Sequence, residues 1–152
     1  MYTTEELLGA SGMSLANYKA GVRRGTLALS SGTPGIGNKR RHNLDDVLQV
    51  ALAAYLAQVG VSPSRAAMVW AFLAEANLHQ PEAFIFLAPR ADDSDLDFRV
   101  VLPGGDAGLE HPDAPAVVIA INLRQLRSKT VARLRDQVAR RMPATNELEA
   151  EA

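Results

Sequence analysis

The chain has 152 residues, 47% of them hydrophobic and 22% charged, which suits one ordinary domain or two small ones and excludes a chain too polar to bury a core. It contains no cysteine, so disulfides and thiolate metal sites are excluded. The formal net charge of −1 hides a segregation into a mildly basic first half, an acidic stretch from Asn77 to Leu123 and a basic one from Arg124 to Met142, so it does not exclude nucleic acid, which reads local clusters.

The opening residues lack the basic flank and apolar stretch of a secretory signal, and no apolar run reaches the roughly 18 residues of a spanning helix. The expectation is a soluble cytoplasmic protein with no membrane partner. Thr3 or Thr4 can cap a short helix holding Glu5, Glu6, Leu7 and Leu8, with the acids in the first turn where the helix dipole favours them. Ser11-Gly12-Met13 reads as a turn, and Ser14 caps a second helix, Leu15 to Arg24, that Gly25 ends. Two short helices joined by a glycine turn make a helix-turn-helix pattern. Thr26 to Leu29 reads as a short strand, followed by a Ser-, Gly- and Pro-rich loop from Ser30 to Asn38 and the cationic cluster Lys39-Arg40-Arg41-His42. Asn43 is the next cap, with Asp45 and Asp46 opening a long helix on which Val47, Leu48, Ala51, Leu52, Tyr55, Leu56 and Val59 recur at helical spacing. Gly60 ends that helix. Ser62-Pro63 opens another, which carries Ala66, Ala67, Val69, Trp70, Leu73 and Ala76 and fades before Pro81.

After Pro81 the period changes. Ala83–Leu87, Phe98–Leu102 and Ala116–Ile121 are short runs rich in β-branched and aromatic residues, bounded by Pro, Gly or Asp, and predict three strands with connections suited to a meander. A last amphipathic helix, about Arg124 to Met142, aligns Leu126, Leu134, Val138 and Met142 on one stripe among many arginines. The predicted fold is α+β: an N-terminal winged helix-turn-helix domain over residues 1–79, then a three-stranded antiparallel sheet with a C-terminal helix over 80–142. Residues 143–152, acidic and rich in alanine, read as a disordered tail.

The order helix, turn, helix, hairpin, helix resembles the MerR-type DNA-binding domain. Tyr2-Thr3-Thr4-Glu5-Glu6-Leu7-Leu8 with Gly12-Met13-Ser14 resembles that family's opening, and Arg23-Arg24-Gly25-Thr26-Leu27 its Arg-Arg-Gly-Leu step. Arg40-Arg41-His42-Asn43-Leu44-Asp45-Asp46-Val47 is similar to its wing exit, and Val59-Gly60-Val61-Ser62 to its next helix junction. The resemblance covers the first half only. The second half lacks the family's long dimerising helix, so metal or drug sensing does not carry over.

These residues define a candidate interface with double-stranded DNA. A recognition helix meets bases and phosphates with its first turns, here Ser14, Ala16, Asn17, Tyr18 and Lys19. Asn17 can pair with adenine through two hydrogen bonds, while Tyr18 and Lys19 suit phosphates. The bland reading is an ordinary solvated helix face. Arg23 and Arg24 either reach phosphates or neutralise the helix C-terminus. Asn38, Lys39, Arg40, Arg41 and His42 sit where a wing meets the duplex, or one arginine orients the following helix through Asp45 or Asp46. The stripe Leu126, Leu134, Val138 and Met142 is the candidate dimer interface, or it packs on its own strands, with the arginines in water or on phosphates.

Other motifs fail on spacing. Gly32-Thr33-Pro34-Gly35-Ile36-Gly37 lacks a strand-to-helix context, and Asp93, Asp95 and Asp97 begin a calcium loop in which Phe98 replaces the required glycine. His42, His79 and His111 are too scattered for a metal site, and no nucleophile arrangement marks an enzyme. No cofactor is expected. The leading expectation is a sequence-specific transcriptional regulator acting as a homodimer, nucleoid-associated and of bacterial or phage origin. The alternatives are an excisionase-like or phage-type architectural factor, or a module that captures a regulatory protein partner.

Overall fold

A computed structural model describes residues 1–30, 40–75, 84–89, 96–101 and 119–141. The elements run β1 (Tyr2–Thr3), α1 (Thr4–Ser11), α2 (Leu15–Arg24), β2 (Arg41–His42), α3 (Leu44–Gln58), α4 (Pro63–Glu75), β3 (Phe84–Pro89), β4 (Leu96–Val101), β5 (Ile119–Asn122) and α5 (Leu123–Arg141). Helices and strands are thus mixed in an α+β chain. Among the described residues no helix is long and apolar enough to cross a membrane. The loop with Gly32 to Gly37, the residues Asp93, Asp95, His79 and His111, and the tail from residue 142 onward lie outside the described residues.

The helix ends follow local chemistry. Thr3, rather than Thr4, caps α1: its hydroxyl accepts from the Glu6 N–H (3.2 Å) while Glu6 Oε2 accepts from the Thr3 N–H (2.6 Å). Gly12 closes α1 in the left-handed region (φ +74°), which a residue with a side chain adopts at a cost, and its N–H reaches Leu8 O at 2.9 Å. Ser14 caps α2 through the Asn17 N–H, and Asn43 caps α3 in a second reciprocal pair with Asp46.

The strand expected at Thr26–Leu29 does not form, because its hydrogen-bonding groups are already engaged. The N–H groups of Thr26 and Leu27 both fold back onto Gly21 O at 3.0 and 3.3 Å, closing the end of α2. With its amide oriented for two complementary bonds, the buried Gln49 side chain pairs with both the N–H and C=O of Ala28 (3.2 Å each). The Ser30 N–H goes to Asp46 Oδ1 at 2.7 Å. With those groups taken, β2 finds another partner: it pairs antiparallel with β1, Tyr2 opposite His42 and Thr3 opposite Arg41.

The later strands also differ in order from the sequence expectation. β3 pairs antiparallel with β4, Phe84 opposite Val101 through Pro89 opposite Leu96, and on its other edge with β5, Phe84 opposite Asn122 through Leu87 opposite Ile119. The earliest strand is therefore central, and the expected meander is replaced by a chain that returns to pair beside its beginning.

Two clusters make the core, and α3 runs through both. One gathers Leu52, Leu56, Val61, Val69, Leu73, Ile121 and Leu123 from α3, α4, β5 and the start of α5. The other gathers Leu7, Ala10, Tyr18, Leu27, Val47, Val50 and Leu134 from α1, α2, α3 and the middle of α5. Each fully buried Leu or Val contributes about 1.5–3 kcal/mol relative to exposure, so α5 is held firmly on both. Gly9 permits the close approach: a Cβ there would lie 2.6 Å from the Gln137 side chain of α5. Leu134 is buried in its own chain, which corrects its assignment to a subunit interface. Leu126 packs half-buried on the first cluster, Val138 is half-buried, and Met142 lies outside the described residues.

Candidate nucleic-acid interface

The sequence-predicted residues separate by burial along α2. Ser14, Ala16, Asn17, Lys19, Arg23 and Arg24 are exposed, while Tyr18 is only 5% exposed. Helical periodicity explains the split. Tyr18 and Val22 share the stripe facing the core, whereas Lys19 and Arg23, also one turn apart, share a solvent-exposed stripe about 100° further round the helix. The expectation that Tyr18 holds a phosphate is therefore corrected: its ring is a core residue. Leu15 was not among the predicted contacts, yet it stands 48% exposed in the first turn of α2. An apolar side chain there suits a thymine methyl group. Sequence reading sends leucine inward by default, but this one, the first residue of α2, stands in solvent.

His42 requires the same correction. It is completely buried, so it cannot touch a duplex. Instead it joins four segments. Its Nε2 lies 3.2 Å from Thr4 Oγ1 of α1 and 3.4 Å from Tyr18 Oη of α2, and its Nδ1 faces Asp46 Oδ2 of α3 at 3.5 Å. The two rings meet edge to face with centroids 6.1 Å apart. Arg40 Nη1 donates to Tyr18 Oη at 3.4 Å, extending the network to the residue before β2. Burial pushes the His42 pKa below its ordinary 6.5, the Asp46 carboxylate acts against that shift, and Arg40 adds to it. The ring is neutral at pH 7; with its proton on Nδ1, toward the Asp46 carboxylate, the single lone pair of Nε2 is shared between the Thr4 and Tyr18 hydroxyls.

Asp46 closes the other side of this joint. It is 2% exposed and accepts from the N–H and hydroxyl of Ser30 and the N–H of Asn43, while the Asn43 amide donates to Ser30 Oγ at 2.8 Å. Both ends of the segment between α2 and α3 are thereby fixed to one carboxylate. The arginines were candidates for that orienting role; His42, Ser30 and Asn43 fill it. Sequence reading marked Asp46 as a first-turn acid and as a candidate partner of an arginine, and its spacing from Asn43 was the available signal for its cap.

The cations of the segment before α3 take different places. Arg41 is exposed on β2, opposite Thr3. Arg40 is half-buried, and among the described residues its buried Nε has no hydrogen-bond partner. Asn38 and Lys39 lie outside the described residues. Along the flank of α2 runs a groove of about 450 Å³, lined by Ser14, Asn17 and Arg24 on one side and by Ala53, Ala57 and Pro63 on the other. An exposed capped helix with outward Asn, Lys and Arg, braced against a short basic ribbon, can present donors to base edges and cations to phosphates. No protein-family model matches the chain, and no characterised protein shows significant similarity to it.

Proposed function

We propose that this chain is a sequence-specific, double-stranded DNA-binding transcriptional regulator, built on a MerR-like winged helix-turn-helix. One observation carries the reading. The exposed face of α2, with Asn17, Lys19, Arg23 and Arg24, is locked to the Arg40–Arg41 segment by the buried network of Tyr18, His42 and Asp46. A merely solvated helix face needs no such brace. A base-reading helix does, because side chains must reach base edges within hydrogen-bond distance while the flanking cations hold the backbone.

Within this reading Asn17 and Leu15 face base edges, and Lys19, Arg23, Arg24 and Arg41 hold phosphates. Tyr18 and His42 act from inside as positioning residues. Dimerisation belongs to the same proposal, since one short recognition helix reads few base pairs and a duplex offers symmetric half-sites. With Leu134 buried in its own chain, the pairing surface has to be made by other residues.

The test is a titration of labelled genomic fragments at two salt concentrations. Affinity should fall steeply with salt as lysine and arginine contacts release counterions. Asn17→Ala should reduce discrimination between the selected site and random duplex by about 1–3 kcal/mol. Arg41→Ala should weaken all duplexes evenly and lower the salt slope by about one. No binding at low salt rejects the proposal, and equal loss on selected and random duplex rejects the role of Asn17.

A further inference from the structure

A second cavity, away from α2, has a composition that duplex binding does not use. It occupies about 300 Å³ between α3, β5 and α5, at the small end of the range for small-molecule sites. Its floor is Ala51, Ile121 and Thr130, all buried, and the Thr130 hydroxyl is satisfied by Leu126 O at 2.8 Å. Gln125, Lys129 and Arg133, successive turns of one face of α5, line one wall; Tyr55 and Gln58 of α3 line the other.

Charge gives this cleft its direction. Lys129 and Arg133 are like charges one helical turn apart, an arrangement that destabilises a helix. Among the described residues no aspartate or glutamate lines the cavity to offset them. Among the described residues neither cation makes an ion pair or a side-chain hydrogen bond, whereas Arg141 of the same helix pairs with Glu6. Two cations without an ion pair among the described residues therefore stand opposite a half-exposed phenol ring, over a floor in which Ala51 and Ile121 lie beside Thr130. Inorganic anions gain nothing from that floor, and neutral apolar molecules gain nothing from the charges. We infer that this cleft binds a small aromatic carboxylate, its anion on Lys129 and Arg133 and its ring between Tyr55 and the floor formed by Ala51 and Ile121. Ser11, whose hydroxyl accepts from the Met13 N–H at 3.2 Å, also lines the cavity, so the occupant touches the brace of the turn between α1 and α2. The inference stands independently of duplex binding.

Fluorine NMR of 4-(trifluoromethyl)benzoate with the full chain tests it. The resonance should broaden and shift on adding protein, and the neutral 4-(trifluoromethyl)benzamide should bind at least about tenfold more weakly, as loss of a charge-assisted hydrogen bond implies. The double variant Lys129→Gln with Arg133→Gln should lose at least about tenfold in affinity for the carboxylate on the same grounds. Arg135→Gln, exposed on the same helix but outside the cavity, should bind as the parent does. Thermal melts establish that both variants are folded, which exposed substitutions on α5 should permit. Absence of broadening with the parent chain, equal binding of the amide, or unchanged binding by the double variant overturns the inference. Displacement of the benzoate by an equal concentration of inorganic phosphate also overturns it, because the floor would then contribute nothing.

Discussion

Two carboxylates occupy the same local position in this chain and are used differently. Glu6 and Asp46 each stand at the third residue of a helix and each close a reciprocal cap, with Thr3 and Asn43 respectively. Each then reaches beyond its own helix. Asp46 meets the fully buried His42, a contact withdrawn from water on both sides, and also accepts from the backbone of the exposed Ser30. Glu6 meets Arg141 at 3.2 Å, a side chain left 56% exposed. The difference teaches that a cap becomes a tertiary joint only when its second partner is also buried. An exposed partner is screened by water and is easily replaced by it.

The largest expected effect lies at the buried joint. Asp46→Ala removes the return bond to the Asn43 N–H and the buried carboxylate that faces His42, which together should cost about 2–3 kcal/mol of stability. Urea denaturation of the variant and the parent measures this, and a loss of about 1 kcal/mol or less would erase the distinction from Glu6.

A pH series sharpens the comparison, because the two sites fail in different windows. The folded pKa of His42 lies below 6.5, so the unfolded chain takes up the proton first, and this contribution to stability is complete above 6.5 and declines as pH falls toward the folded value. Burial raises the Glu6 pKa, but the Thr3 bonds and Arg141 outweigh it and hold the folded value below 4.5. Its contribution is present above 4.5 and is lost only as pH falls through the lower folded value. His42→Gln should therefore flatten the stability profile just below 6.5, and Glu6→Gln should flatten it only below 4.5. Melting temperatures across both windows decide; a single shared window would show that the two sites titrate together.

Smaller still is the exposed ion pair. Arg141→Ala should lower stability by no more than about 1 kcal/mol, since its guanidinium is already largely in water. A double-mutant cycle with Glu6→Gln isolates the pairwise part, and coupling as large as the loss at Asp46 would contradict the burial argument. The smallest effect is expected at Gly9→Ala. The new methyl meets only the flexible end of Gln137, and the gain in helix propensity, about 1 kcal/mol, offsets its displacement. Chemical denaturation should show near-neutrality; a large loss would mean that α1 and α5 are in rigid backbone contact.

Much of this molecule was legible in local chemistry. The caps at Ser14 and Asn43, the glycine ends of α1 and α2, and the helical spacing of α3 all follow from interactions within a few residues. Among the candidate contacts, Asn17, Lys19, Arg23, Arg24 and Arg41 stand exposed. Tyr18 and His42 were misplaced because their types are equally at home on a phosphate or in a polar core. Which occurs depends on α1 and α3 arriving from elsewhere in the chain.

The sequence by itself determined the helices of the first half, their ends and the clustering of charge, because capping and periodicity act over one or two turns. Only the tertiary structure decided which groups those helices would share. It denied Thr26–Leu29 a strand by binding Ala28 to Gln49, and it gave β2 to β1. It placed β3 between β4 and β5, and it turned Leu134 of α5 into the core of its own chain. Each of these outcomes depends on a partner distant in sequence, and a backbone or apolar group takes whichever partner buries it with its hydrogen bonds made.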